Sequence, residues 1–267
     1  MSTMVPGGAE ALRGWPGRSR GRPGPASVSS LQEDPHMAEQ VDDGLDDRLA
    51  AMARELATQP TAERTAERLT SLALELVRGA SDAGVSLVRA RGRIETVAPT
   101  SELVARADDL QHRLHEGPCV DALDADEIDA PDLTSDERWP RWRPEVVEAG
   151  VRAMFCVQLN LDDRGLGALN LYGSSVDAFD EADREAARHL ASHAAIAIAS
   201  SQERASLQEA LASRTVIGQA EGILMERFGV DADQAFAVLV RYSQHHNVKL
   251  AQVARDLVHT RSLPGID

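Results

Sequence analysis

With 267 residues the chain has length for one or two domains plus tails, and its net charge of -15 argues against broad, non-specific attachment to nucleic acid. Hydrophobic content is 43% but aromatic content only 3%, so the core must be aliphatic and rich in alanine. There is no apolar run of about eighteen residues and no charged-then-apolar leader, so a cytoplasmic protein with no membrane partner is expected.

Residues 1–37 are rich in Gly, Pro, Arg and Ser and cannot bury enough surface to fold, so a disordered tail is expected. A basic arm for RNA and a true start at Met37 are the other readings of this segment. An alanine-rich helix is predicted from Leu45 to Gln59, with Leu45, Leu49, Met52, Ala53 and Leu56 on one side. A second follows Pro60, facing inward with Leu69, Leu72, Ala73, Leu76 and Val77. The period then changes to two: Val85–Val88 and Ile94–Ala98 read as a hairpin about an Arg91-Gly92-Arg93 turn. Ser101 starts a helix with Leu103, Ala107, Leu110 and Leu114 at helical steps. A short strand near Ile128 and a short helix at Val146–Val147 come next. Val151, Ala153, Phe155, Val157 and Leu159 alternate strictly, turn at 162–165, and pair with Ala168–Tyr172. From Asp180 a helix runs without a breaker to Gly218, carrying Ala187, Leu190, Ala191, Ala194, Ile198, Ala205, Leu207 and Leu211 as an apolar side.

This order implies an α+β domain with one antiparallel sheet and flanking helices. It resembles a GAF domain, a sensor module, over about 45–200. The resemblance rests on Glu116-Gly-Pro-Cys-Val-Asp-Ala-Leu123, Ala130-Pro-Asp-Leu133, Trp139-Pro140, Gly150-Val151 and Leu166-Gly-Ala-Leu-Asn-Leu-Tyr172. It implies a ligand pocket between the sheet and the elements above it, formed by Glu116, Gly117, Pro118, Cys119, Asp132, Trp139 and Asn170. Trp139 would stack on a planar ligand and Asp132 would accept from it. The alternative is that Gly117-Pro118 shapes a turn, Trp139 covers the core, and the domain receives a protein signal.

The last fifty or so residues read as three short amphipathic helices. Val216, Ile217, Ala220, Ile223, Leu224 and Phe228 make the first face; Ala235, Phe236, Leu239, Val240 and Ser243 the second; Leu250, Val253, Ala254, Leu257 and Val258 the third. Asp231 with Gln234 is a capping pair for the second, and Asn247 is read as the cap of the third. Gly218 and Gly222 each cost about 1 kcal/mol in a helix, so their helix is expected to hold its backbone close to a neighbour. The faces imply an all-α three-helix bundle. Ser213-Arg214, the Ile217–Met225 run, Ala235-Phe236, Arg241-Tyr-Ser243, Asn247 and the Leu250–Val258 helix make it resemble the ANTAR domain, an RNA-binding antitermination module, over 206–262. Glu221 departs from the family, which usually carries Lys there.

That resemblance implies hairpin RNA as partner, bound by a homodimer, with Arg214, Gln219, Arg241, Tyr242, Asn247, Lys249 and Arg255 as the stacking, base-reading and phosphate-contacting groups. Residues 201–212 form a helical stalk between the domains, and its small residues make it the expected dimer element. The module is locally neutral: Glu209, Glu221, Glu226, Asp231, Asp233 and Asp256 balance Arg214, Arg227, Arg241, Lys249, Arg255 and Arg261. The acidity therefore sits upstream, where it either serves solubility or holds RNA away until a signal arrives.

Cys119 and Cys156 make no disulfide framework. Cys119 at a helix start is a candidate redox sensor, opposed by neighbouring Glu116 and Asp121; a small packed cysteine is the alternative. His189/His193 and His112/His115 have zinc-compatible spacing but no third or fourth ligand, so no metal or cofactor is expected. No G-x-S-x-G, P-loop, H-E-x-x-H or kinase signature occurs, so no enzyme is expected. The sequence reads as a signal-responsive antitermination regulator. A DNA-binding regulator stays open, although the third helix offers only Lys249, Gln252 and Arg255 as readers. So does a protein-interaction module that has lost RNA binding.

Overall fold

The computed structural model describes residues 50–162 and 164–262; the tail expected over 1–37, and the Leu45 and Leu49 positions, lie outside them. The first described helix, α1, covers residues 50–57 and buries Met52 and Leu56. Helix α2 (Ala62–Leu76) is capped by Thr61, whose side chain accepts from the Arg64 amide, and turns Leu69, Leu72 and Ala73 inward.

Five strands follow: β1 (Asp82–Val88), β2 (Ile94–Thr96), β3 (Glu127–Ala130), β4 (Ala153–Leu161) and β5 (Arg164–Gly173). They form one antiparallel sheet in the order β2-β1-β5-β4-β3. The β1–β2 hairpin turns through Arg91, which takes the left-handed conformation beside Gly92. Both sheet faces are covered. Ala153, Phe155, Val157 and Leu159 pack with Leu69, Leu72, Leu190 and Ile198, while Met154, Cys156, Ala168 and Tyr172 pack with Val104, Trp139 and Trp142. Strict alternation along β4 thus feeds two different cores.

The second face is roofed by α3 (Glu102–Leu114), α4 (Pro118–Asp121) and α5 (Arg143–Glu148). On α3 the inward side differs from the leucine stripe read from sequence. Val104, Ala107, Asp108 and Gln111 are buried, and Leu103, Leu110 and Leu114 only partly so. Thr96 and Tyr172 on the sheet draw Asp108 in, and Asp108 with the Cys119 amide holds Gln111, at the expense of the leucines.

Helix α6 (Glu181–Phe228) is one unbroken element of 48 residues, started by an Asp180–Asp183 capping box and ended by Gly229 in the left-handed conformation. The first helix of the C-terminal bundle is therefore the end of α6 rather than a separate short helix, and the stalk is continuous with both neighbours. Its apolar side is not continuous. Ala187, Leu190, Ala191, Ala194 and Ile198 are buried, but Leu207 and Leu211 are 59% and 66% exposed. Nine residues at about 100° each put Leu207 on the side opposite Ile198.

Helices α7 (Ala232–His246) and α8 (Leu250–Thr260) complete the bundle. Ala220, Leu224, Ala235, Leu239, Val253, Ala254 and Leu257 form its core. Phe228 and Phe236, expected inside, are 42% and 43% exposed. Asp231 and Gln234 make the expected capping box. Asn247 does not cap α8: it ends α7 in the left-handed conformation, and Lys249 stands at the N-cap with no side-chain cap bond. Asn tolerates positive φ better than most residues, and here that capacity is used. Neither Gly218 nor Gly222 has any atom within 4 Å of where a Cβ would stand, so the chain's own packing does not require them.

Candidate functional site

The sensor residues gather around a buried polar network on the face under α3 and α4. Cys119 is the second residue of α4, after Pro118, and its amide donates to Gln111 Oε1 at 2.8 Å. Gly117 takes positive φ there, and a Cβ would come within 2.3 Å of the same oxygen, so glycine is required where the chain closes over Gln111. Gln111 Nε2 donates to Asp108 Oδ1 at 3.1 Å; the Tyr172 hydroxyl donates to that oxygen as well, and Thr96 Oγ1 donates to Oδ2 at 3.0 Å. Ser86 Oγ accepts from Asn170 Nδ2 and from Cys119 Sγ, both at 3.3 Å. Asn170 Oδ1 is buried without a partner.

Burial pushes the Asp108 carboxyl up to about 6, against the donors that favour its charged form. Burial, with the Asp108 charge nearby, pushes the Cys119 thiol up to about 12. Cys119 is fully buried and that shift is the wrong direction for a thiolate sensor, and both favour the packed-cysteine reading. Cys156 is buried and raised in the same way.

Of the residues assigned to a ligand pocket, Gly117, Cys119 and Asn170 meet in this network, where the chain's own side chains fill the space. Trp139 is buried and donates from Nε1 to Asp121 Oδ2 at 2.8 Å, while Arg138 lies over its outer face. Its ring covers the core and is not open for stacking on a ligand. Glu116 sits at the rim: its carboxylate accepts from the amides of Arg141 and Trp142 at 2.7 and 3.0 Å and from Arg141 Nε at 2.8 Å, which holds it below the usual carboxylate range. Asp132 lies apart and caps its own turn, accepting from Thr134 and Ser135. Sequence reasoning missed Ser86, Thr96, Asp108, Gln111 and Tyr172. The signal was available, since Asp108 and Gln111 sit three apart on the same face as Val104 and Ala107.

In the C-terminal bundle, Tyr242 stacks on His246 with ring centroids 4.0 Å apart, and His245 meets His246 edge-on at 4.9 Å. This aromatic cluster ends α7 beside Asn247, one turn before the exposed Lys249. Tyr242, Asn247 and Lys249 thus share the α7–α8 corner, with exposed Arg241 next in the chain. Arg255 lies further along α8 and donates to Gln252. Arg214 and Gln219 stand exposed on α6, and Gln219 lines an open groove of about 790 Å³ with Gly222, Arg227 and Arg261. The two histidines were not singled out from sequence, although Tyr242 and His246 at i, i+4 must share a helix face.

Among the described residues no group of three or more His, Cys, Asp or Glu is placed to hold a metal, and no helix is long and apolar enough to cross a membrane.

Comparison with known proteins agrees with this division. The GAF domain family matches residues 59–199 and the ANTAR domain family matches 205–258. The chain belongs to the GAF domain family and carries an ANTAR domain behind the sensor, the architecture of a signal-responsive regulatory protein. Among the curated proteins none matches it.

Among solved structures, bacteriophytochrome RpBphP3 from R. palustris is 12% identical with a TM-score of 0.51, covering 74% of this chain and 47% of that one. The cyanobacteriochrome TePixJ GAF domain is 17% identical with a TM-score of 0.46, covering 55% of this chain and 94% of its own. The GAF domain of a phosphoenolpyruvate-protein phosphotransferase from Coxiella burnetii is 18% identical with a TM-score of 0.49, covering 59% and 94%. Identities this low speak to the fold alone.

Proposed function

We propose that this protein is a cytoplasmic, non-enzymatic transcription antitermination regulator. It binds hairpin RNA through α7, α8 and the end of α6, and works as two copies. A signal received by the sensor passes along α6, which joins both domains without a break. The observation that carries the reading is the ANTAR match over 205–258 together with the stack of half-buried Tyr242 on exposed His246, beside exposed Lys249. RNA loops splay their bases out, and aromatic rings and cations are the groups that take up such bases and the phosphates between them.

A gel shift with hairpin RNA against duplex DNA tests it. Hairpin RNA binds and duplex DNA does not. Tyr242→Ala weakens the complex by roughly tenfold or more, as expected for the loss of one stacking platform. Preference for duplex DNA, or no effect of Tyr242→Ala, overturns the reading.

A further inference from the structure

Helix α6 leaves the sensor core at Ser201, and residues 203–212 are exposed on every side before the bundle begins. Along its outer face runs a stripe with an internal symmetry. Leu211 and Met225 stand seven residues either side of Gly218; Arg214 and Glu221 stand four before and three after; Leu207 and Phe228 stand eleven before and ten after. At about 100° per residue all seven positions fall within an arc of about 100°. All four of these apolar side chains are exposed: Leu207 and Leu211 strongly, Met225 and Phe228 by about two fifths. Among the described residues the ion pairs that α6 makes, Arg184–Asp129, Arg188 with Glu127 and Glu181, and His189–Glu185 when the imidazole is protonated, belong to its sensor end. Arg214 is exposed and Glu221 partly so.

We infer that this stripe is a self-association surface on which α6 of a second copy crosses antiparallel at Gly218. In that register Leu207 meets Phe228 of the second copy, Leu211 meets Met225, and Arg214 meets Glu221. Each match occurs twice by symmetry. The crossing point falls on a glycine that costs about 1 kcal/mol in helix propensity and that the chain's own packing leaves open. A missing side chain is what lets two helix backbones approach closely. A parallel pairing in register would instead set Arg214 against Arg214 and Glu221 against Glu221, two like-charge contacts in place of two attractive ones.

The inference deepens the two-copy part of the proposed function and is independent of its RNA part, because the test contains no RNA. Full-length Arg214→Cys and Glu221→Cys proteins are oxidised separately and as a mixture; the native Cys119 and Cys156 are buried and do not compete. The mixture is expected to give a mixed disulfide and the separate proteins none. In the antiparallel register two copies of position 214 stand about 11 Å apart along the axis, beyond the roughly 7 Å reach of a disulfide. Self-linked Arg214→Cys without mixed product would overturn the antiparallel register while leaving a dimer; a protein monomeric at every concentration would overturn the surface itself.

Light scattering supplies the second readout. Glu221→Arg is expected to weaken the dimer roughly tenfold, and adding Arg214→Glu to restore it. A double variant no tighter than the single one contradicts the pairing. Gly218→Leu has open space within its own chain, so it should keep the helical circular-dichroism signal and lose the dimer. A Gly218→Leu dimer as tight as the natural one would contradict the crossing point.

Discussion

Asp108→Asn isolates the energetic consequence of placing a carboxyl under the sensor roof. Asp108 is fully buried, and its carboxyl lies at about 6 in the folded chain against an ordinary 3.8. Between these values the folded protein holds a proton that the unfolded chain has released. The stability this group contributes is therefore full below the unfolded value and is lost as pH rises through about 6. A shift of about two units corresponds to about 3 kcal/mol. Asparagine cannot titrate; it keeps an acceptor for Tyr172 and Gln111 and can donate to Thr96. Its stability relative to the natural protein should therefore rise by up to about 3 kcal/mol between pH of about 4 and 8. Urea unfolding across that range, followed by the fluorescence of buried Trp139 and Trp142, measures the difference; comparing the two proteins cancels every other titration. A flat difference, or one that falls with pH, would refute the account of Asp108 as a group burdened by burial.

Three further outcomes follow from particular contacts. Gly167→Ala would place a Cβ 2.0 Å from the Ser86 carbonyl, across the β1–β5 pairing; a loss of about 3 kcal/mol in urea unfolding is expected. The thiols of Cys119 and Cys156 should be silent to a thiol reagent at pH of about 8 in the folded protein and both react once it is unfolded, since only the thiolate attacks; rapid labelling of the native protein would restore a redox role. Lys249→Ala should weaken hairpin RNA at low salt and flatten the dependence of log affinity on log salt by about 0.7, the share of one phosphate contact on a single strand.

Period and turn chemistry carried most of the fold from the sequence. The β4 alternation, the Asp231–Gln234 cap and the α8 stripe each depend only on neighbours in the chain. What escaped was decided by partners far away. On α3, the buried side was chosen by Tyr172, Thr96 and the Gln111–Cys119 closure, so counting leucines pointed it a step off. Phe228 and Phe236 were read as core because they are large and apolar, yet Ala220, Leu224, Ala235 and Leu239 make the bundle core. Asn247 was read as a helix start because Asn favours caps in general; the backbone uses it for positive φ at a helix end instead. The sensor motif residues were identifiable, but their joint arrangement as a filled polar network was not. That arrangement depends on Asp108 and Gln111, which lie outside the motif.

The most direct test of a transcript-binding regulator is to sequence the RNA that co-purifies with the full chain from its own cells, beside the Tyr242→Ala protein. Stem-loop segments of nascent transcripts should be enriched with the natural protein and lost with the substituted one. Equal recovery of RNA by both, or no enrichment of stem-loops by either, would contradict the account.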